Sequence, residues 1–125
     1  MKALVVIAHG SRNPLANEEL QKMVGLLSEQ PENAHFDCFK AGFLELATPT
    51  ISTCLDELIA QGVNEMVILP YFLNSGVHVK KDIPSAIDAY RQQYPELQFK
   101  LLPHFGAAEE ILDLITALVA KPPQD

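Results

Sequence analysis

The 125-residue sequence has no tryptophan, little positive charge and no apolar run near the ~20 residues that a membrane span needs. Its two cysteines, Cys38 and Cys54, cannot form a disulfide framework, and no CxxC pair or Cys/His quartet indicates structural zinc. The apolar run at residues 3–8 is too short for a signal peptide and is followed by polar residues. We therefore expect a soluble cytoplasmic protein with two free thiols.

The charge balance argues against nucleic acid as a partner. Nine Lys and Arg residues against sixteen Asp and Glu residues give a net charge of −7, which argues against non-specific binding to nucleic acid. No GxxxxGK[ST], GxGxxG, GxSxG or HExxH motif occurs, so P-loop nucleotide chemistry is not expected. With 48% hydrophobic and 20% charged residues, the chain has the composition and length of one globular domain. We expect this domain over residues 1–120 and a frayed C-terminal tail over 121–125.

Apolar runs and helix-breaking residues alternate along the chain. The strand predictions are two strong β-branched or aliphatic runs and two weaker segments, at residues 3–8, 66–69, 34–40 and 97–102. Apolar residues at helical spacing predict four helices, at about residues 14–29, 48–61, 80–94 and 107–120. Asn13 and Thr48, each followed by a proline, are expected to cap the first two helices, and residues 41–47 are expected to be irregular.

This order of elements predicts an α/β fold. Strands that alternate with helices through short connections form a mostly parallel sheet with right-handed crossovers. The continuous apolar runs of strands one and three suit strands that are covered on both faces. We therefore expect a flavodoxin-like, four-stranded, mostly parallel sheet, with those two strands in the centre and helices on both faces.

Four polar residues follow the four predicted strands in turn: His9, Glu45, His78 and His104. Because the carboxyl ends of parallel strands meet at one edge, where α/β proteins bind ligands, His9 and His78 are expected to flank a binding crevice. Imidazole and carboxylate groups suit a divalent metal, and the same groups are general bases near neutral pH. Each residue could instead be an ordinary loop or surface residue, as we interpret His35 at the opposite edge.

Positive groups are expected near the same edge. Arg12 and the Lys80-Lys81 pair lie beside His9 and His78 in the sequence, and helix N-termini there would add N–H donors. An anionic ligand could therefore bind despite the acidic whole. The alternative is that the two lysines are the solvated start of a helix.

Three ordered stretches resemble the sirohydrochlorin chelatases of the short CbiX type. They are AHGSRNP at residues 8–14, FLELATPTI at 43–51 and LPYFLNSGVHVKKDIP at 69–84, with a weaker fourth at Pro103-His104. The resemblance spans residues 1–120. It implies insertion of cobalt, iron or nickel into sirohydrochlorin on the way to cobalamin or sirohaem. It also implies no cofactor beyond this metal substrate, and a homodimer of half-length chains.

The resemblance also implies roles for single residues. His9 and His78 would bind the metal and accept pyrrole protons, and Glu45 would assist deprotonation. Many relatives have an acid at the position of Thr48, so the resemblance implies no second carboxylate at this position. The carboxylates of sirohydrochlorin would be bound by nearby polar and basic residues, for which the candidates are Ser11, Arg12, Asn74, Ser75, Lys80 and Lys81.

Two other classes of function stay open at this point. A His-Gly pair at a strand end also resembles the mannose-type sugar phosphotransferase carriers, in which His9 would carry a phosphoryl group. Glu45, His78 and the long third loop have no role in that interpretation. A metal-binding protein without catalysis would use the same histidines without turnover. The metal, the dimer interface and any contribution of His104 are likewise open.

Overall fold

The computed structural model describes residues 1–122 and contains one four-stranded sheet. The strands are β1 (Lys2–Ala8), β2 (Cys38–Phe43), β3 (Glu65–Pro70) and β4 (Gln98–Leu101). Every neighbouring pair is parallel, and the strand order is β2-β1-β3-β4. This confirms the expected α/β fold with strands one and three in the centre. Of the tail predicted over 121–125, residues 123–125 lie outside the described part of the chain.

Four α-helices connect and follow the strands. They are α1 (Pro14–Glu29), α2 (Ile51–Ala60), α3 (Ile83–Gln93) and α4 (Glu110–Val119). Three short helical segments complete the described structure: 3₁₀ turns at Pro31–Asn33 and Phe105–Ala107, and a π-helical turn at His78–Asp82 that leads directly into α3. The first helix has the predicted bounds because Asn13 accepts a hydrogen bond from the Leu15 N–H and Pro14 supplies a helical φ.

The alternating side chains of β1 contribute to two apolar layers, one on each face of the sheet. Ala3, Val5 and Ile7 pack with buried residues of α2 and α3. Val6 packs with buried residues of α1 and β2 on the other face. Helices therefore cover both faces of the sheet, as predicted. No helix within residues 1–122 combines the length and apolar character needed to cross a membrane.

The predicted position of strand two is wrong. The expected range was 34–40, but β2 is Cys38–Phe43, and residues 41–43, expected to be irregular, are buried in the sheet. Pairing with β1 explains the difference, because Ala8 is the register partner of Phe43. The chain before β2 instead turns at Asp37, whose N–H donates to the carbonyl of Lys2.

The starts of the later helices also differ from the prediction. Thr50, not Thr48, caps α2, since its hydroxyl accepts a hydrogen bond from the Thr53 N–H. Pro49 follows a cis peptide bond and its carbonyl accepts the N–H of Phe43, so Pro49 lies outside the helix. The third helical stretch begins two residues early as the π-helical turn. The last helix, expected from residue 107, begins at Glu110 after a 3₁₀ turn.

Candidate metal-binding site

The candidate site begins where β1 ends, at a sharp backbone turn. Gly10 has φ 95°, a left-handed conformation that side chains disfavour. A Cβ atom at this position would overlap the carbonyl oxygen of Glu45. The glycine therefore allows the loop after β1 to pass directly against the segment after β2.

Backbone pairing beyond the end of β2 places Glu45 beside His9. The N–H of Leu44 donates to the carbonyl of Ala8, and the N–H of Glu45 donates to the carbonyl of His9, both at 3.0 Å. The chain then turns at Leu46, whose φ is 66°. As a result, Oε1 of Glu45 lies 2.9 Å from Nε2 of His9.

The π-helical turn supplies His78 to the same place. The His9 and His78 rings lie edge to face, with centroids 5.1 Å apart and an interplanar angle of 67°. One ligand atom from each of His9, Glu45 and His78 lies within 4.8 Å of the other two. We call these three residues the metal cluster. Two imidazoles and one carboxylate form a donor set that suits cobalt, nickel, iron or zinc.

Each imidazole in the metal cluster has an acceptor at its Nδ1 atom. His9 Nδ1 lies 3.1 Å from the carbonyl oxygen of Gly10, and His78 Nδ1 lies 2.8 Å from Oδ2 of Asp82. A ring that donates from Nδ1 keeps Nε2 as its ligand atom, the usual arrangement in histidine metal sites. The side chains are 42% (His9), 54% (Glu45) and 43% (His78) exposed, so a ligand can reach the cluster.

The ring of His9 and the carboxylate of Glu45 are close enough to bind the same metal ion, since Nε2 of His9 and Oε1 of Glu45 lie 2.9 Å apart. Imidazole and carboxylate bind a metal ion only through deprotonated atoms, so the release of a metal leaves both groups able to accept a proton. Each of these atoms can therefore hold a metal ion or a proton, but not both at once.

Two of the predicted substrate-binding residues lie in the loop after His9. The Ser11 hydroxyl accepts a hydrogen bond from the Asn13 N–H at 3.0 Å, and the Ser11 backbone is held on both sides by the side chain of Asn17. Arg12 is exposed beside them. Asn17 was not a sequence candidate; an asparagine in the first turns of a helix, where its amide can reach the preceding loop, was the available signal.

The other four predicted substrate-binding residues flank His78 near the surface. Asn74 and Ser75 precede it in the loop after β3, and Lys80 and Lys81 lie within the π-helical turn. No ion pair formed within residues 1–122 uses Arg12, Lys80 or Lys81, so their charges can act on an anionic ligand.

The remaining sequence candidates lie apart from the metal cluster. His104 is half-buried and precedes a 3₁₀ turn, and it is not a member of the cluster. Thr48 is exposed, and His35 is an exposed residue before β2. Glu45 was expected only to assist proton transfer, whereas its carboxylate also lies within ligand distance. Asp82 was missed, although its spacing of four residues from His78 was visible in the sequence.

A family model described as CbiX matches residues 3–121 of the chain. A curated sirohydrochlorin cobaltochelatase from Methanopyrus kandleri is 34% identical over 70% of this chain and 59% of that protein. A sirohydrochlorin ferrochelatase from Priestia megaterium is 31% identical over 92% of this chain and 42% of that protein. The chain thus spans about half the length of these first relatives. A cobaltochelatase from Saccharolobus islandicus has similar length, at 30% identity over 95% of this chain and 94% of that protein.

Two solved structures share the fold. A cobalamin biosynthesis CbiX protein from Marinobacter aquaeolei VT8 has a TM-score of 0.77 and 25% identity, covering 96% of this chain and 95% of that one. The sirohydrochlorin chelatase SirB from Bacillus subtilis subspecies spizizenii, in complex with cobalt, has a TM-score of 0.75 and 26% identity. That match covers 95% of this chain and 50% of SirB.

Proposed function

The chain belongs to the CbiX family, and on that premise we propose that it inserts a divalent metal ion into sirohydrochlorin. The metal cluster of His9, Glu45 and His78 carries the proposal. The names of the curated relatives support the substrate, and the mixture of cobaltochelatases and ferrochelatases among them supports cobalt first and then iron. Nickel is a further candidate because the donor set of the cluster also suits it. The product then enters cobalamin or sirohaem biosynthesis.

The proposed reaction exchanges one M²⁺ ion for two pyrrole protons. Nε2 of His9, Nε2 of His78 and the carboxylate of Glu45 hold the incoming metal. When the metal passes to the pyrrole nitrogens, these atoms regain their lone pairs and accept the two protons. The adjacent pair of His9 and Glu45, whose Nε2 and Oε1 atoms lie 2.9 Å apart, accepts one proton, and His78 accepts the other. The exchange of one M²⁺ ion for two protons is then balanced in atoms and in charge.

We propose that the cations beside the cluster bind the carboxylates of sirohydrochlorin. Arg12, Lys80 and Lys81 supply the charge, and Ser11, Asn74 and Ser75 supply hydrogen bonds. Local charge decides the binding of a small anionic ligand, so the net charge of −7 does not oppose it. Apart from the metal and the tetrapyrrole, no further cofactor enters this scheme.

The phosphocarrier alternative receives no support from the site. A phosphoryl group on Nε2 of His9 would approach a carboxylate oxygen that already lies 2.9 Å away, and like charges would repel. The interpretation as a metal-binding protein without catalysis uses the same cluster, and turnover separates it from the proposal.

The test is a spectrophotometric chelation assay with sirohydrochlorin and Co²⁺, Fe²⁺ or Ni²⁺. We expect His9→Ala and His78→Ala to lower the catalysed rate by about 10²-fold or more, because each removes a metal ligand and a proton acceptor. His35→Ala, at an exposed histidine outside the cluster, is the matched control and should keep the wild-type rate. Wild-type rates in both cluster variants would refute the assignment. Metal binding without turnover in the wild-type protein would favour the non-catalytic alternative.

We further propose that residues 1–120 form one chelatase domain and that two copies associate as a homodimer. Support comes from the match to half of SirB, together with relatives of the same length as this chain. A second copy of a half-length chain would take the place of the other half of SirB. The two free cysteines support a reducing, cytoplasmic location.

A further inference from the structure

Asp82 makes a specific contact with one member of the metal cluster. It ends the π-helical turn, four residues after His78, and its Oδ2 lies 2.8 Å from His78 Nδ1. A carboxylate can only accept a hydrogen bond here, so the proton of the neutral ring is held on Nδ1. The lone pair that remains for a metal is then on Nε2.

The Asp82 carboxylate is not used to cap the helix that follows it. Asp82 stands at the N-cap position of α3, where aspartate usually accepts a backbone N–H, yet its side chain makes no capping hydrogen bond. The backbone is helical there, with φ −67° and ψ −46°, and the N–H of Ile83 already donates to the carbonyl of His78. The carboxylate is thereby left for the imidazole.

The contact between His78 and Asp82 contributes little to the stability of the fold. The side chains of His78 and Asp82 are 43% and 44% exposed, and ion pairs this exposed contribute little to folding. A π-helical turn is rare and is frequently found at functional sites. The other imidazole of the cluster has a comparable contact, since His9 Nδ1 faces the carbonyl of Gly10.

We propose that Asp82 is a positioning residue for metal binding, which holds the His78 ring in the tautomer and orientation that present Nε2 to the metal. The inference rests on the proposed metal-binding role of His78. Outer carboxylates of this kind typically change metal affinity by about 10–100-fold.

The experiment measures Co²⁺ affinity of the full metal-free chain by competition with a chromophoric chelator, without sirohydrochlorin. We expect Asp82→Ala to weaken Co²⁺ binding by about 10–100-fold. Asp82→Asn keeps the shape of the side chain without its charge and should weaken binding in the same direction, by less. Asp88→Ala is the matched control, because it removes an exposed carboxylate from α3 that pairs with Arg91 rather than with the cluster.

A second measurement separates positioning from a general structural effect. Nitrogen NMR of the metal-free protein should show His78 protonated at Nδ1 in the wild type and a shift toward the Nε2–H tautomer in Asp82→Ala. If Asp82→Ala fails to fold, the same two measurements on Asp82→Asn decide the question. Co²⁺ affinity equal to that of Asp88→Ala, or an unchanged tautomer, would overturn the inference. A wild-type protein that binds Co²⁺ but does not insert it into sirohydrochlorin would overturn the proposed function alone.

Discussion

At the scale of single residues, the geometry of the metal cluster depends on the lack of a side chain at Gly10. Gly10 lets the loop after β1 touch the backbone of Glu45, and this contact sets the 2.9 Å distance between the carboxylate and His9. Any side chain at this position would have to push the two loops apart.

We predict that Gly10→Ala lowers both stability and metal affinity. The left-handed φ of 95° alone costs about 1–3 kcal/mol for a residue with a Cβ atom. The clash with the Glu45 carbonyl should also move Glu45 away from His9, so that Co²⁺ binds at least about tenfold more weakly. Urea unfolding and Co²⁺ titration measure the two effects.

Gly25→Ala is the control for this prediction. Gly25 lies in α1, and a Cβ atom added there would have no neighbouring atom within 4 Å, so alanine should leave stability unchanged or raise it by up to about 1 kcal/mol. Metal affinity should not change in that variant. If Gly10→Ala behaves like Gly25→Ala in both measurements, the contact with Glu45 does not shape the cluster.

The members of the metal cluster could be predicted from the sequence, because each follows a strand and parallel strands end at one edge. Their detailed roles could not. Glu45 lies within ligand distance because backbone pairing continues past the end of β2, a tertiary contact that periodicity does not encode. The Asp82 contact depends on a π-helical turn, where the sequence predicted a loop followed by an ordinary helix from about residue 80.

At the scale of elements, α4 differs from the other helices. Its apolar residues form one broad face, a pattern typical of a helix that packs against another surface, yet the described structure buries none of its residues. Its large exposed apolar residues are Leu112, Leu114, Ile115, Leu118 and Val119. A cluster of this kind on one helix indicates a surface that another molecule covers. Under the homodimer proposed above, the molecule that covers this face of α4 would be a second copy of the chain.

We predict that Leu118→Glu converts a dimer into a monomer. Burial of a leucine contributes about 1.5–3 kcal/mol, and a two-fold interface loses this in both copies, so the dissociation constant should rise by about 10²-fold or more. Sedimentation equilibrium should give twice the chain mass of 13.8 kDa for the wild type and 13.8 kDa for the variant.

Leu26→Glu is the matched control for α4. Leu26 lies on α1 and is 51% exposed, close to the 54% of Leu118, so the charge and the exposure are alike while the helix differs. This variant should stay dimeric. A monomeric wild type, or a Leu118→Glu variant with the wild-type mass, would contradict the assignment of α4 to the interface.

The elements themselves were predictable to different degrees. The central strands were found because both faces of a central parallel strand are buried, so their runs are continuously apolar. The edge strand β2 was misplaced because its apolar content is thin and its position depends on pairing with β1. The predicted start of α2 was wrong because Thr48 and Thr50 both suit an N-cap. The hydrogen bond from the Phe43 N–H to the Pro49 carbonyl keeps Pro49 outside the helix and leaves Thr50 as the cap.

At the scale of the whole molecule, the folded chain keeps the protons of two side chains at a pH at which the unfolded chain has lost them. Burial raises the pKa of the Cys54 thiol from 9.0 to about 11. Burial, and then the hydrogen bond to Asp56, raise the pKa of the Tyr90 hydroxyl from 10.0 to about 12. Tyr90 of α3 contacts α2, since its hydroxyl donates to the carbonyl of Ser52 as well as to Asp56. Cys54 lies on α2. The direction of both shifts makes stability fall in the alkaline range.

We predict that the free energy of unfolding falls as pH rises above 9. Between pH 9 and 11 the unfolded chain loses the Cys54 proton while the folded chain keeps it, so stability decreases with pH. For a thiol that is 0% exposed, a shift of this size corresponds to at most about 2.7 kcal/mol. Urea unfolding at intervals from pH 8 to 11 measures the slope. Cys54→Ala, although less stable overall, should show a shallower slope than Cys38→Ala, the control at the half-buried cysteine. Equal slopes in the two variants would show that the buried thiol does not cause the alkaline loss of stability.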